Sequence, residues 1–312
     1  MGLIIVGALA PVFGLILLGV VLGRMKFLGD RAFEVFNRFV INVTLPVLTF
    51  RTLATTEAAD LLMPVMIAAI VGGAFIIYAL GFAIERLYGR SMIEANIAGL
   101  AGCFSNTGFV GLPVALLAFG PQSLGPVAVA MALYSSIIFT AGVLLSEVSA
   151  HHDGGLAGAL RRAGLAIVRS PLIVLSVLGI AWSMIGLPLS GPLDTFLETL
   201  AGATAPCALV AVGLFMALPR QSAAPGPIAR VVLMKLVAHP AATALLLLIL
   251  PPIPPLWAAI AILMAGMPSG ASSFVLAGRA GAWAMDLSAW AITLTSALAA
   301  LSLIPILWLL HH

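Results

Sequence analysis

Three stretches carry side chains that could do chemistry. Ser105-Asn106-Thr107 precedes Gly108, Gly111 and Pro113. Pro268 precedes Ser269, Gly270, Ser272 and Ser273. Lys235 and His239 stand four residues apart, just ahead of Pro240. Glycine costs a helix about 1 kcal/mol relative to alanine and proline about 3, so Gly108, Gly111, Pro113, Pro268 and Gly270 mark breaks in otherwise apolar segments. In hydrocarbon an unpaired peptide group costs several kcal/mol, so such a break persists only buried in protein or lining a wet cavity. The N-terminal end of a half-helix presents free N–H groups and partial positive charge, which suit an anion. Its C-terminal end presents carbonyls. Ser105, Asn106, Thr107, Ser269, Ser272 and Ser273 therefore read as contacts for a small carboxylate, in a site that is polar and mostly neutral. Asn42 and Thr44 are further candidates from another segment, although Thr44 also suits the backbone opened by Pro46.

The elements that must position these residues are membrane spans. Of 312 residues 62% are hydrophobic and 8% charged, with mean hydropathy +1.20. Soluble domains carry about 25% charge. Apolar runs of about 20 residues fit helices rather than barrel strands. Hydropathy and punctuation by Gly, Pro and charge place ten spans near 3–23, 33–53, 61–84, 95–119, 124–147, 164–186, 193–218, 229–250, 256–278 and 286–309. The run Met1–Gly23 lacks a basic leader and reads as the first span. Residues 148–163 form a linker between a first five-span repeat, 1–147, and a second, 164–312. Cys103 and Cys207 fall inside spans, so no disulfide framework is implied.

Thirteen of the 14 Lys and Arg residues fall on odd-numbered connections. They are Arg24, Lys26, Arg31, Arg38, Arg86, Arg90, Arg161, Arg162, Arg169, Arg220, Arg230, Lys235 and Arg279. Arg51 alone falls on the other side. The positive-inside rule then puts odd connections in the cytoplasm and both termini outside. Basic residues so distributed account for the high pI without nucleic acid.

Pro11 and Gly19 recur as Pro171 and Gly179, Thr44-Leu45-Pro46 as Thr204-Ala205-Pro206, and Ser135-Ser136 as Thr295-Ser296, each 160 positions on. A unit of five spans inverts when repeated, and inverted repeats with two interrupted helices mark alternating-access carriers. The same offset carries Pro113 to Ser273. Ser135, Ser136, Thr295 and Ser296 read as helix contacts or part of an ion site. No acid sits mid-span. Lys235 and His239 share a helix face. Lys235 is expected to snorkel to the cytoplasmic surface, with His239 deeper and hydrogen-bonded inside the bundle. Coupling to a proton, to sodium or to neither stays open.

A membrane enzyme would need paired aspartates, HExxH or Gly-x-Ser-x-Gly at depth, and none is present. The histidines at 151, 152, 239, 311 and 312 cannot make a metal site within the spans. No cofactor is implied. An anion channel or uniporter-like pore, or a transport-inactive membrane receptor, is the alternative to a carrier; saturable, stereoselective flux separates carrier from channel.

Over essentially the whole chain the sequence resembles the auxin efflux carrier family, which includes bacterial malonate and malate permease-like members and plant auxin exporters. The likeness rests on Asn42-x-Thr44-Leu45-Pro46, on the run from Ser105 to Pro113, on Ala205-Pro206 with Gly213, on Lys235 to Pro240, and on Pro268-x-Gly270 with Phe274-Val275-Leu276-Ala277. The resemblance implies an all-α polytopic fold of ten transmembrane helices in a 5+5 inverted repeat, similar to bile-acid transporters and sodium/proton antiporters. Spans 4 and 9 would cross at their breaks. Spans 1, 2, 6 and 7 would form a scaffold, with a homodimer through 2 and 7. Spans 3–5 and 8–10 would form a transport unit that moves as an elevator. The implied cargo is a small organic anion, a carboxylate or an auxin-like aromatic acid, carried across the cell inner (plasma) membrane, with lipid as the other partner. Plant exporters carry proline at both crossings, whereas this chain has Ser273 at the second.

Overall fold

The computed structural model describes residues 2–55, 63–149, 164–165, 169–219, 224–278 and 280–310. The regular structure among them is helical, apart from one isolated pair of bridging residues. Six helices are long and apolar enough to cross a membrane: α2 (Ala32–Thr55), α3 (Pro64–Leu87), α6 (Pro121–Ser146), α8 (Gly191–Ala217), α9 (Pro225–Ile249) and α12 (Ala282–Leu310). At about 1.5 Å per residue, 24 or more residues exceed the roughly 30 Å hydrocarbon core. The remaining elements are α1 (Gly2–Arg24), α4 (Met92–Cys103), α5 (Thr107–Phe119), α7 (Pro171–Ile185), α10 (Pro255–Ala265) and the short α11 (Ser272–Ala277). Expected span 4 is thus two pieces, α4 and α5, and span 9 is α10 and α11. Most of the expected linker, and the loop at 56–62, lie outside the described residues.

Proline sets where several helices begin and where others widen. Helices α3, α6, α7, α9 and α10 each open on a proline, whose missing N–H is not needed in a first turn. Inside a helix the ring instead removes one hydrogen bond and crowds the preceding turn. Three of the four π turns, Val40–Thr44, Thr107–Gly111 and Met234–Ala238, end two residues before Pro46, Pro113 and Pro240. Widening the turn to i→i+5 relieves the crowding. The fourth, Tyr134–Ile138 in α6, has no such proline. Helix α4 opens on a capping box, in which Glu94 N–H donates to Ser91 Oγ at 3.3 Å and Ser91 N–H to Glu94 Oε2 at 3.0 Å.

The chain divides into two compact units. The first comprises Met1–Met63, Gly108–Ala132 and Val168–Pro219. Within it α1 packs along α8 and α7 along α2. Both contacts need glycine. A Cβ on Gly213 would stand 2.0 Å from the Ile16 carbonyl oxygen, and one on Gly19 would stand 2.3 Å from that of Val210. A Cβ on Gly179 would stand 2.7 Å from the Phe50 carbonyl oxygen and 3.0 Å from Leu53 Cβ. Phe50 and Leu53 lie 160 positions before Val210 and Gly213, as Gly19 lies before Gly179. The two packings therefore use corresponding residues. Arg51 donates to Asp194 at 2.7 Å and lies 3.4 Å from Glu198.

The second unit comprises Pro64–Thr107, Leu133–Ile167 and Arg220–His312. Helix α3 packs on α4, where Gly81 meets Gly99, and on α9, where Gly73 meets Thr243. Glu85 of α3 is fully buried, with Oε1 2.6 Å from Arg230 of α9. The Arg230 guanidinium also stacks on Tyr88, 4.2 Å from the ring centre. Asn96 of α4 takes a hydrogen bond from the Tyr78 hydroxyl and donates to Ser146 Oγ at 2.7 Å and Gly142 O at 2.9 Å, tying α3, α4 and α6 together.

Candidate binding site at two paired helix breaks

Within the second unit the two breaks meet. Helix α4 ends at Cys103 and Phe104 turns extended, with φ −74° and ψ 110°. Ser105 then bridges Ser269 in antiparallel fashion. Asn106 N–H donates to Pro268 O at 2.8 Å, and Gly270 N–H donates to Phe104 O at 2.9 Å. Each break thus satisfies backbone groups that the other frees, which hydrocarbon demands. Gly270 is required by closeness, since a Cβ there would sit 2.6 Å from the Phe104 ring. Ser269 completes the joint. Its Oγ donates to Ala101 O at 2.7 Å, and its N–H donates to Thr295 Oγ1 at 3.0 Å.

A buried lysine stands on this joint. Lys235 is fully buried, and its Nζ lies 2.8 Å from Ser105 Oγ, 3.0 Å from His239 Nδ1 and 2.5 Å from Ala265 O. An ammonium has three donors, and all three are used on neutral acceptors. Ala265 ends α10, so the charge also faces the negative end of a helix dipole. Among the described residues no acidic side chain pairs with Lys235. His239 and Tyr134 are fully buried as well, with His239 Nε2 3.2 Å from the Tyr134 hydroxyl. Lys235 thus joins Ser105, Ala265 and His239, and His239 joins Tyr134, in one buried polar chain.

The structure corrects three expectations. Lys235 does not snorkel: its π turn, Met234–Ala238, and the following helix place it at the breaks. It therefore leaves the tally of basic residues on odd connections, and the site holds a buried titratable pair, Lys235 and His239. The break in span 4 lies at Phe104–Asn106, ahead of Gly108, Gly111 and Pro113, which belong to the widened first turns of α5. The break in span 9 lies around Pro268–Gly270, so Ser105 pairs with a residue 164 positions on, about one helical turn beyond the repeat offset. Ser273 accordingly sits inside α11, with its Oγ donating to Gly270 O at 3.1 Å.

Ser105, Asn106, Thr107, Ser269, Ser273 and Thr295 are buried in the second unit, as is Ser296, whose Oγ has no partner in the structure. The Ser272 side chain is outside the described residues. Ser135 and Ser136 are half-buried in the π turn of α6, next to Tyr134. Asn42 and Thr44 belong to the first unit. Asn42 is exposed, and its amide donates to Arg38 O at 2.9 Å. Thr44 is buried with Oγ1 unpartnered, and so is Thr204, its counterpart in the repeat. Sequence reasoning missed Tyr134; its signal was a phenol, one of 3 tyrosines, beside Ser135-Ser136 in an apolar span. An open cavity of about 440 Å³ between α9 and α12 is lined by apolar side chains, among them Ile228, Val232, Trp290 and Leu294, and holds none of these residues.

A broken, paired membrane segment with a buried cation suits a carrier, and comparison with known proteins agrees. The family described as membrane transport protein matches residues 4–153 and 159–307. The chain belongs to this family, the auxin efflux carriers. The chain is 31% identical over 310 residues to the "Putative malonate transporter" of Rhizobium meliloti (strain 1021), covering 98% of this chain and 96% of the relative. It is 31% identical over 208 residues to an "Uncharacterized transporter" of Methanothermobacter thermautotrophicus, covering 64% of each. It is 24% identical over 218 residues to the "Uncharacterized transporter YfdV" of Escherichia coli (strain K12), covering 68% of each. The protein is a multi-pass membrane transporter, not an enzyme.

Proposed function

We propose that the chain is a secondary transporter of small organic anions, carboxylates first, with the anion held at the paired breaks. One observation carries this reading: Lys235, a fully buried amine hydrogen-bonded only to neutral groups, stands against Ser105 at the joint. A charge buried without a partner is costly, and an intramembrane ionisable group is a functional site by default. A carboxylate arriving beside Ser105 and Asn106 supplies the missing counter-charge. The name of the Rhizobium relative makes malonate the first anion to test.

The wider reading is an elevator carrier of ten spans in a 5+5 inverted repeat, with both termini outside the inner (plasma) membrane and a homodimer through spans 2 and 7. The corresponding glycine contacts Gly19–Gly213 and Gly179–Leu53 support the repeat. The grouping of α1, α2, α7 and α8 apart from α3, α4, α9, α10 and α12 supports a scaffold and a transport unit, while α5 and the first half of α6 group with the former.

The test is uptake of labelled malonate, malate and indole acetate by proteoliposomes, with thermal stabilisation of the purified protein as the binding assay. Wild type is expected to show saturable flux of at least one acid. Asn106→Ala is expected to fold and insert but to bind at least about tenfold more weakly, the loss of one charge-assisted hydrogen bond. Flux that never saturates would favour the channel reading. Binding unchanged in Asn106→Ala and Ser105→Ala would make the joint structural only.

A further inference from the structure

We propose that Lys235 and His239 share one exchangeable proton, enclosed by Tyr134 and Ser105, and that this proton balances the charge of a bound carboxylate. The second half rests on the anion reading above. The proton has two places 3.0 Å apart, Lys235 Nζ and His239 Nδ1. In passing, one N–H bond breaks at Nζ and one forms at Nδ1. This leaves a neutral amine and an imidazolium whose Nε2–H still donates to Tyr134. No other group changes protonation. Only the lysine position touches Ser105, at 2.8 Å, so an anion arriving there draws the proton to Nζ and its departure lets the proton move inward.

The groups facing this pair leave it alone with its proton. Helix α4 contributes Cys103, a buried thiol that donates to Leu100 O at 3.7 Å, and α6 contributes Tyr134. Helix α3 presents Gly73 and Gly81 toward α9, then Glu85, which Arg230 occupies at 2.6 Å. Helix α10 presents the Ala265 carbonyl and apolar side chains. Helix α12 presents uncharged residues along its buried face, with Asp286 half-buried in its first turns. Among the described residues no carboxylate is paired with Lys235 to hold the proton in place.

Two measurements on the whole protein in detergent test the two halves separately. The first uses no anion: NMR of nitrogen-labelled histidine, with the His239 signal identified by its loss in His239→Gln. Its titration is expected to move by about one pH unit or more in Lys235→Met, the mark of two sites titrating as a pair. A His239 signal indifferent to Lys235→Met overturns the shared proton. The second follows malonate affinity by calorimetry above neutral pH, where both malonate carboxyls are ionised. Binding that takes up one proton weakens about tenfold per pH unit once the pair has titrated, and the heat varies with the buffer's ionisation enthalpy. His239→Gln is expected to shift that pH profile, which a merely structural histidine would not do. Malonate affinity flat with pH overturns the coupling while leaving the anion reading intact. A coupled His239 titration in a protein that binds none of the acids upholds the shared proton and overturns the anion reading.

Discussion

In the first unit helices meet backbone to backbone; in the second, glycine contacts such as Gly81 on Gly99 are joined by polar side chains that cross between helices. Gly19 and Gly213 bring α1 and α8 so close that neither tolerates a Cβ, and Gly179 does the same for α7 and α2. In the second unit Asn96, Glu85, Lys235, His239, Ser269 and Thr295 are all buried and, apart from Glu85 Oε2, tied to partners by hydrogen bonds. The difference teaches how the same apolar composition serves two ends. Small-residue contacts gain van der Waals packing and need no polar partner, so they make a firm frame. Polar contacts in hydrocarbon hold only while every partner is present, which makes them sensitive and chemically useful.

The largest way to break the comparison is Arg230→Ala. It strands the fully buried Glu85 carboxylate, whose Oε2 already has no partner. Removing one member of a buried pair costs about 3–5 kcal/mol. Thermal unfolding in detergent is expected to fall by about 10 °C, at roughly 2–4 °C per kcal/mol for a chain this large. Adding Glu85→Gln should restore most of it. If Arg230→Ala is tolerated, the second unit does not depend on its polar pairs.

Next is Gly213→Val in the first unit. The blocking atom is a backbone oxygen 2.0 Å away and cannot swing aside. The cost is expected near the upper end of overpacking, about 3 kcal/mol, read as a lower unfolding temperature. Gly179→Val should act in the same direction, more weakly, with its nearest oxygen at 2.7 Å. A harmless Gly179→Val beside a damaging Gly213→Val would show that the two packings are not equivalent.

Smaller effects sharpen the picture. Thr295→Val removes the acceptor of the buried Ser269 N–H and is expected to cost about 2 kcal/mol, with faster amide exchange at Ser269. Ser296→Ala, at a hydroxyl without a partner in the structure, should cost far less. Smallest is Arg51→Ala, which loses the partly exposed pair with Asp194 in the first unit. It should lower stability by about 1 kcal/mol or less, and by less still in high salt.

Much of this was legible along the chain. Prolines at 64, 121, 171, 225 and 255 open helices, and Pro46, Pro113 and Pro240 each follow a widened turn, because proline acts on its own turn. Gly19 and Gly179 stood out as a repeated pair. The serine-rich breaks were visible as failures of helix propensity. Their position was not, since Gly108, Gly111 and Pro113 weaken a segment whose actual break is set by where Phe104 and Asn106 find Gly270 and Pro268. The fate of Lys235 was hidden for a related reason. A lysine near a span end reads as snorkelling until a hydroxyl, a carbonyl and an imidazole are known to surround it.

The sequence by itself determined that the chain lives in a membrane and that two of its segments are interrupted. These follow from hydrophobicity, proline and glycine, whose effects reach only a turn or two. Tertiary structure alone decided that the two interruptions pair at Ser105 and Ser269, one turn off the repeat, and that a buried ammonium with a histidine and a tyrosine sits on the joint. Those contacts join residues more than a hundred positions apart. Their partners are chosen by which backbone groups are left unpaired once the helices pack, and no local pattern carries that information.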